Sequence, residues 1–211
     1  MTKRNEADHF TVDLFAEDHT PVGIAVGLDW PARTRFPLNL NDRKVEDTVL
    51  PDLKQSVSPL LVTGYTSLDR LIDFAADWAG RGHARLLIGH EPHPSRRDSY
   101  KLGKRSFPSE VEEYWLQHGI SLHLSAKLLQ FIEQLKEGHI EVRYLSGSTP
   151  LHAKIYLGDT AATLGSSNFS QSGLRFQLEA NARFDAAKDA ARYRELKQIA
   201  ENYWSMGRDY R

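Results

Sequence analysis

The stretch from Leu60 to His90, "LLVTGYTSLDRLIDFAADWAGRGHARLLIGH", restricts the fold of this chain more than any other. Leu60–Tyr65 is a continuous apolar run, as expected of a strand covered on both faces. Leu68, Leu71, Ile72, Ala75 and Ala79 then share one face of a helix. Thr66 with Asp69 resembles a capping box at its start, and Gly80 and Gly82 are stop signals at its end. "ARLLIGH" is the next buried strand. A strand–helix–strand unit with so short a crossover implies parallel strands, and so an α/β fold.

The rest of the chain reads around this unit. The first 20 residues are polar and irregular, and "PVGIAVGL" (Pro21–Leu28) is a short β-branched run bounded by Pro and Gly, hence a strand. Trp30–Asn41 reads as a loop, and Asn41–Val57 has a weak helical pattern interrupted by Pro51. After a loop over residues 91–109, helices are predicted over 109–118 and 124–137. Leu124, Leu128, Phe131, Ile132 and Leu135 line one face of the second, and Gly138 ends it. "HIEVRYL" alternates as a strand, Pro150–Phe169 holds two more, and "QLEANARF" holds another. Asp185 to Met206 closes the chain as a helix. The expected fold is α/β, a mixed β-sheet flanked by helices on both faces. Residues 1–40 would be an N-terminal extension with one strand, and 41–211 the main domain.

Composition narrows the function classes. The 211 residues include no cysteine, so disulfides and cysteine-ligated metal sites are excluded. The formal charge of −1 means that any nucleic-acid binding must come from a local patch. No apolar run is long enough to span a bilayer, and the first ten residues lack the apolar core of a signal peptide. A cytoplasmic location is the expectation.

One stretch does not read as core: "PLHAKIYLGDTAATLGSSNF", Pro150–Phe169. Side chains alternate along a strand, so Leu151, Ala153, Ile155 and Leu157 face one way and His152, Lys154 and Tyr156 the other. An imidazole and an ammonium thus stand side by side. After the "GDT" turn, Ser166 and Asn168 fall on one face if the chain stays extended, and Ser167 faces away. In "QLEANARF", Leu178, Ala180, Ala182 and Phe184 alternate with Gln177, Glu179, Asn181 and Arg183. Together these segments offer an imidazole, an ammonium, a hydroxyl, a carboxamide and a carboxylate, a set that suits phosphoryl transfer. Lys154 and Asn168 would bond non-bridging oxygens, His152 would be nucleophile or general acid, and Glu179 would orient its ring.

These residues resemble the signature of the phospholipase D superfamily, H-x-K-x4-D followed by G-S-x-N. His152, Lys154 and Asp159 match the first part, and Gly165, Ser166 and Asn168 the second. Five residues separate Asp159 from Gly165, one fewer than is usual in that superfamily. Glu179 resembles the acidic partner that the superfamily aims at its histidine. The resemblance implies a metal-independent phosphodiesterase with a phosphohistidine intermediate, needing no cofactor. Two H-x-K motifs meet across a two-fold axis in that mechanism, yet none of the other eight histidines has a lysine two residues on. A homodimer would therefore complete the site. Single-motif relatives are mostly bacterial nucleases, some serving restriction or phage defence beside a helicase or NTPase. "GSSNFSQSGL" looks most like nuclease domains of that kind. DNA is favoured over RNA as substrate on this resemblance alone.

Other readings compete. Arg96, Arg97, Lys101, Lys104 and Arg105 place five positive charges in ten residues, a nucleic-acid-binding loop or simply a solvated one. Asp159 lies in "GDT", which is also what a hairpin turn takes. His90 and His93 lack a third ligand, and Pro92 denies them helical geometry, so no metal site is expected. Trp78, Trp115 and Trp204 fall on predicted helices as core or dimer contacts. A phosphatidyl transferase or phospholipase, and a non-catalytic nucleic-acid-binding or dimerisation module, are the alternatives to a nuclease.

Overall fold

A computed structural model describes residues 29–40, 42–78, 81–89, 122–145 and 150–209. In chain order the elements are α1 (Glu46–Lys54), β1 (Leu60–Thr63), α2 (Leu68–Trp78), β2 (Ala84–Ile88), α3 (Leu122–Lys136), β3 (Ile140–Tyr144), β4 (Ile155–Leu157) and β5 (Ala161–Gly165). A π-helical turn (Ser172–Phe176), β6 (Asn181–Asp185), α4 (Ala190–Met206) and the two-residue β7 (Arg208–Asp209) follow. The strands form one seven-stranded mixed sheet in the order β6-β5-β4-β1-β2-β3-β7.

β1 pairs parallel with β2, Leu60 opposite Arg85 through Thr63 opposite Ile88, and β2 pairs parallel with β3. The strand–helix–strand reading of Leu60–His90 is thus realised. β1 is fully buried along its length, because helices cover both of its faces. On one face Val45, Val49 and Leu53 of the α1 region and Leu71, Phe74 and Trp78 of α2 pack with Leu128 and Phe131 of α3. On the other, Leu196, Ala200 and Trp204 of α4 pack on Leu60, Val62, Ile155 and Leu157. Helices therefore flank the sheet on both faces, as expected.

Several boundaries moved for physical reasons. α1 runs through Pro51, although proline inside a helix costs about 3 kcal/mol. Val45, Val49 and Leu53 recur every four residues and are fully buried, which returns roughly 1.5–3 kcal/mol each. The closing helix starts at Ala190 rather than Asp185, because the Asp185 side chain accepts from Ala187 N and Lys188 N and makes a turn there. β7 went unread because two residues carry no period. β6 begins at Asn181, so "QLEANARF" is half strand. The strand predicted at Pro21–Leu28 and the helix at 109–118 lie outside the described residues, as does Trp115.

Residues before 41 already pack on later ones, with Arg183 N donating to Arg35 O at 2.9 Å. Asn181 Nδ2 donates to Pro37 O at 3.0 Å, and Leu38 bridges to Ala180. Among the described residues, no helix is long and apolar enough to cross a membrane.

Candidate active site

β4 is shorter than the predicted strand because residues 151–153 leave the sheet and cross the ends of the parallel strands. A glycine follows each of β1 and β2, and the crossing chain runs close against both, closest at Gly89. A Cβ on Gly89 would lie 2.3 Å from Leu151 O, and one on Gly64 would lie 3.3 Å from Leu151 O and 3.4 Å from His152 Nδ1. The imidazole is thereby set beside the carboxyl end of β1, the edge of an α/β sheet where ligands bind.

The predicted alternation in this segment is present. Leu151, Ile155 and Leu157 pack under α4, and Tyr156 packs on the opposite face. Lys154 shares the face of Tyr156 and is only 3 % exposed. Its Nζ donates to His152 O at 2.8 Å, so among the described residues one of three N–H donors fixes the histidine backbone and two remain. Burial lowers the Lys154 pKa from its ordinary value, and the field of the Glu179 carboxylate partly offsets this. His152 itself is exposed.

The Gly165–Phe169 segment is fixed by buried polar groups on either side of Asn168. Before it, Ser167 is fully buried: its carbonyl accepts from Tyr156 Oη at 2.6 Å and its hydroxyl from Asn181 Nδ2 at 2.9 Å. After it, Phe169 N donates to Thr63 Oγ1 at 3.2 Å, and Phe169 O accepts from Thr66 Oγ1 at 2.7 Å. Residues 63–66 at the end of β1 thus touch both His152 and the Asn168 loop, and bring the two halves of the motif together. Among the described residues, Asn168 Oδ1 is buried with no hydrogen-bond partner; that oxygen is an acceptor, so only the Nδ2 amide could donate to a phosphate oxygen. Burial and the field of Glu179 both push the Tyr156 phenol far above its usual range, so it stays a neutral donor.

Ser166 and Glu179 also meet at this end. Ser166 Oγ donates to Glu179 Oε2, and accepts from Ala180 N at 3.0 Å. Glu179 was expected to orient the His152 ring. Among the described residues its hydrogen bond goes to Ser166 instead, and its charge acts on Lys154.

Asp159 does not join them. It sits past the other end of β4, roughly 20 Å along an extended chain from His152. There Asp159 Oδ2 accepts from Val57 N at 2.7 Å, and Asp159 N lies 2.8 Å from Ser56 Oγ. Tyr193 Oη donates to Gly158 O at 2.8 Å. The catalytic expectation for Asp159 is corrected: its carboxylate ties the β4–β5 turn to the segment before β1, the turn chemistry that "GDT" also signalled.

The basic residues Arg96, Arg97, Lys101, Lys104 and Arg105, and the pair His90 and His93, lie outside the described residues. Among the described residues, no group of three or more His, Asp or Glu side chains is placed to hold a metal ion. Sequence reasoning passed over Thr63, Thr66, Asn39 and the support that Tyr156 and Asn181 give. The two threonines flanking "GY" at the end of a buried strand were the legible signal.

The comparisons with known proteins agree with this geometry. Residues 63–204 match the family model described as "Cardiolipin synthase, PLD-like domain", a span that takes in every residue of the motif. The fold is similar to Nuc from Salmonella typhimurium, a phospholipase D family member, with TM-score 0.53 and 15% identity over 84% of this chain and 97% of that one. It is also similar to phosphatidylserine synthase from Haemophilus influenzae, with TM-score 0.55 and 13% identity over 83% of this chain and 38% of that one. NucT from Helicobacter pylori aligns with TM-score 0.49 and 11% identity over 78% of this chain and 89% of that one. No curated protein matches the sequence significantly. With the family model matched over well over half its length and the motif assembled at one end of the sheet, the chain belongs to the phospholipase D superfamily.

Proposed function

We propose that the protein is a phosphodiesterase that cleaves nucleic acid, with DNA favoured, through a phosphohistidine formed on His152 in a two-fold homodimer. The observation that carries this reading is the juxtaposition of His152, Lys154, Ser166 and Asn168 near the carboxyl end of β1. His152 attacks phosphorus and a phosphorus–oxygen bond to the leaving group breaks. The second chain's copy of the same histidine gives that oxygen its proton, then takes one from the water that hydrolyses the phosphohistidine. Lys154 and Asn168 bond the non-bridging oxygens, where charge develops. Ser166 and Glu179 hold the carboxylate field beside Lys154. A single H-x-K in the 211 residues supports the two-chain site. A role in restriction or phage defence, with a helicase or NTPase partner, is the biological setting that the "GSSNFSQSGL" resemblance favours.

The test is cleavage of single- and double-stranded DNA in EDTA by the full chain and by His152→Ala, with molecular mass recorded and phosphohistidine trapped by acid-free quench. Cleavage by a dimeric wild type, lost in the variant together with the trapped species, supports the proposal. Cleavage that survives His152→Ala overturns the site assignment. Turnover of phosphatidyl substrates with DNA untouched would replace the nuclease by a lipid enzyme.

A further inference from the structure

We infer that Asn39, which lies outside the motif segments, is a positioning residue for Asn168 and acts through the π-helical turn Ser172–Phe176; this rests on the reading of Asn168 as a phosphate ligand. Asn39 is 4 % exposed, and its side chain spends both ends on backbone. Nδ2 donates to Gly173 O at 2.9 Å and to Gln177 O at 2.8 Å, while Oδ1 accepts from Val45 N at 2.9 Å. The two carbonyls are of the kind that a helix end leaves without partners. π-helical turns are rare and recur at functional sites. This one is held shut by a side chain more than 130 residues distant in sequence.

The turn in turn backs onto Asn168. A Cβ on Gly173 would lie 2.5 Å from Asn168 O and 2.8 Å from Asn168 N, so the two backbones are in direct contact. Gly173 N donates to Ser170 Oγ at 3.1 Å, and Ser170 N donates to Asn168 O at 2.8 Å. The far end of the turn is tied down as well: Arg175 Nε donates to Glu46 Oε1 at 2.5 Å, and Arg70 bonds the same carboxylate. Ser167 and Phe169 are anchored by the β-sheet side of the site, as described above. The Asn168 backbone between them is set from the third side by Gly173. Any drift of the turn therefore moves the carboxamide, and a displacement near 1 Å at a reacting group can cost up to about 10²-fold in rate.

A double-mutant cycle tests this in the full chain. Asn39→Ala, Asn168→Ala and the double variant are compared with wild type in kcat/KM for DNA cleavage and in affinity for inorganic phosphate by calorimetry, with melting temperatures recorded. Asn39→Ala should lower both quantities by about tenfold or more in the wild-type background, and by less than about twofold in the Asn168→Ala background. Gly173→Ala should show the same dependence on Asn168. If Asn39→Ala does not fold, Asn39→Ser, which adds no charge at this buried position, replaces it in the cycle. Equal losses in the two backgrounds, or no loss at all, overturn the inference while leaving the phosphodiesterase reading intact. A wild type that neither binds phosphate nor forms phosphohistidine removes that reading and this inference together.

Discussion

Lys154 carries the clearest electrostatic consequence of the site. Burial lowers its pKa from the ordinary 10.5, and Glu179 partly restores it. If its charge is needed, activity should fall on an alkaline limb below that value. Glu179→Gln removes the restoring field, so a pH–kcat/KM profile should show the limb moving to lower pH; an unmoved limb would separate Lys154 from the rate. The stability sign runs the other way. The unfolded chain holds this proton more tightly, so stability rises as pH climbs from the lowered folded pKa towards 10.5. Lys154→Met should remove that rise in thermal melts across the alkaline range. Lys154 and Tyr156 were legible on one face because strand alternation puts residues two apart together, but His152 stands outside the strand. What alternation could not show is that Lys154 would turn a donor back onto His152 O.

Elements decide which motif residues meet. The β4–β5 hairpin carries His152 at one end and Asp159 at the other, so a single motif in sequence is split between two ends of the sheet. Asp159→Ala should leave kcat/KM within about twofold of wild type and lower stability by about 1 kcal/mol, through loss of the bond from Val57 N. Catalysis lost without a stability change would return Asp159 to the site. Gly89 works in the opposite sense. Gly89→Ala would press a Cβ onto Leu151 O, one residue before His152, the proposed nucleophile. Overpacking of this kind costs about 1–3 kcal/mol, and because the backbone that must yield leads into His152, cleavage should fall by more than the melting temperature alone explains. The parallel strands and their crossover were legible in Leu60–His90 from run length and helical period. The close approach at both strand ends was not, since it comes from Leu151, about 60 residues beyond Gly89 and about 90 beyond Gly64.

At the scale of the molecule, α4 closes the second face of the sheet and joins strands from both halves of the chain. Two guanidinium groups lie over the Trp204 ring, that of Arg143 at 4.2 Å from the ring centroid and that of Arg85 at 5.5 Å. Arg85 also bonds Glu201 through two nitrogens at 2.7 and 2.8 Å. Trp204→Ala should destabilise the fold by about 3 kcal/mol in denaturant titration, because the ring fills the space between α4 and the parallel strands. The Arg85 bonds hold the Glu201 carboxyl below its ordinary 4.5. That contribution is present above the unfolded value and lost as pH falls through the lowered folded one. Glu201→Gln should therefore flatten the acid-side fall in melting temperature; an unchanged acid limb would show the pair adds nothing.

The sequence by itself determined the fold class and the chemistry on offer. Apolar run length, helical period and strand alternation are local properties, and they placed β1, α2, β2, α3 and α4, as well as the shared face of Lys154 and Tyr156. Only the tertiary structure decided which polar groups converge. Asp159 left the site, Glu179 bonded Ser166, and Thr63, Thr66, Tyr156, Asn181 and Asn39 became the supports of Ser167, Asn168 and Phe169. The reason is that a hydrogen bond between residues about 100 positions apart depends on sheet order and register, which no local period encodes.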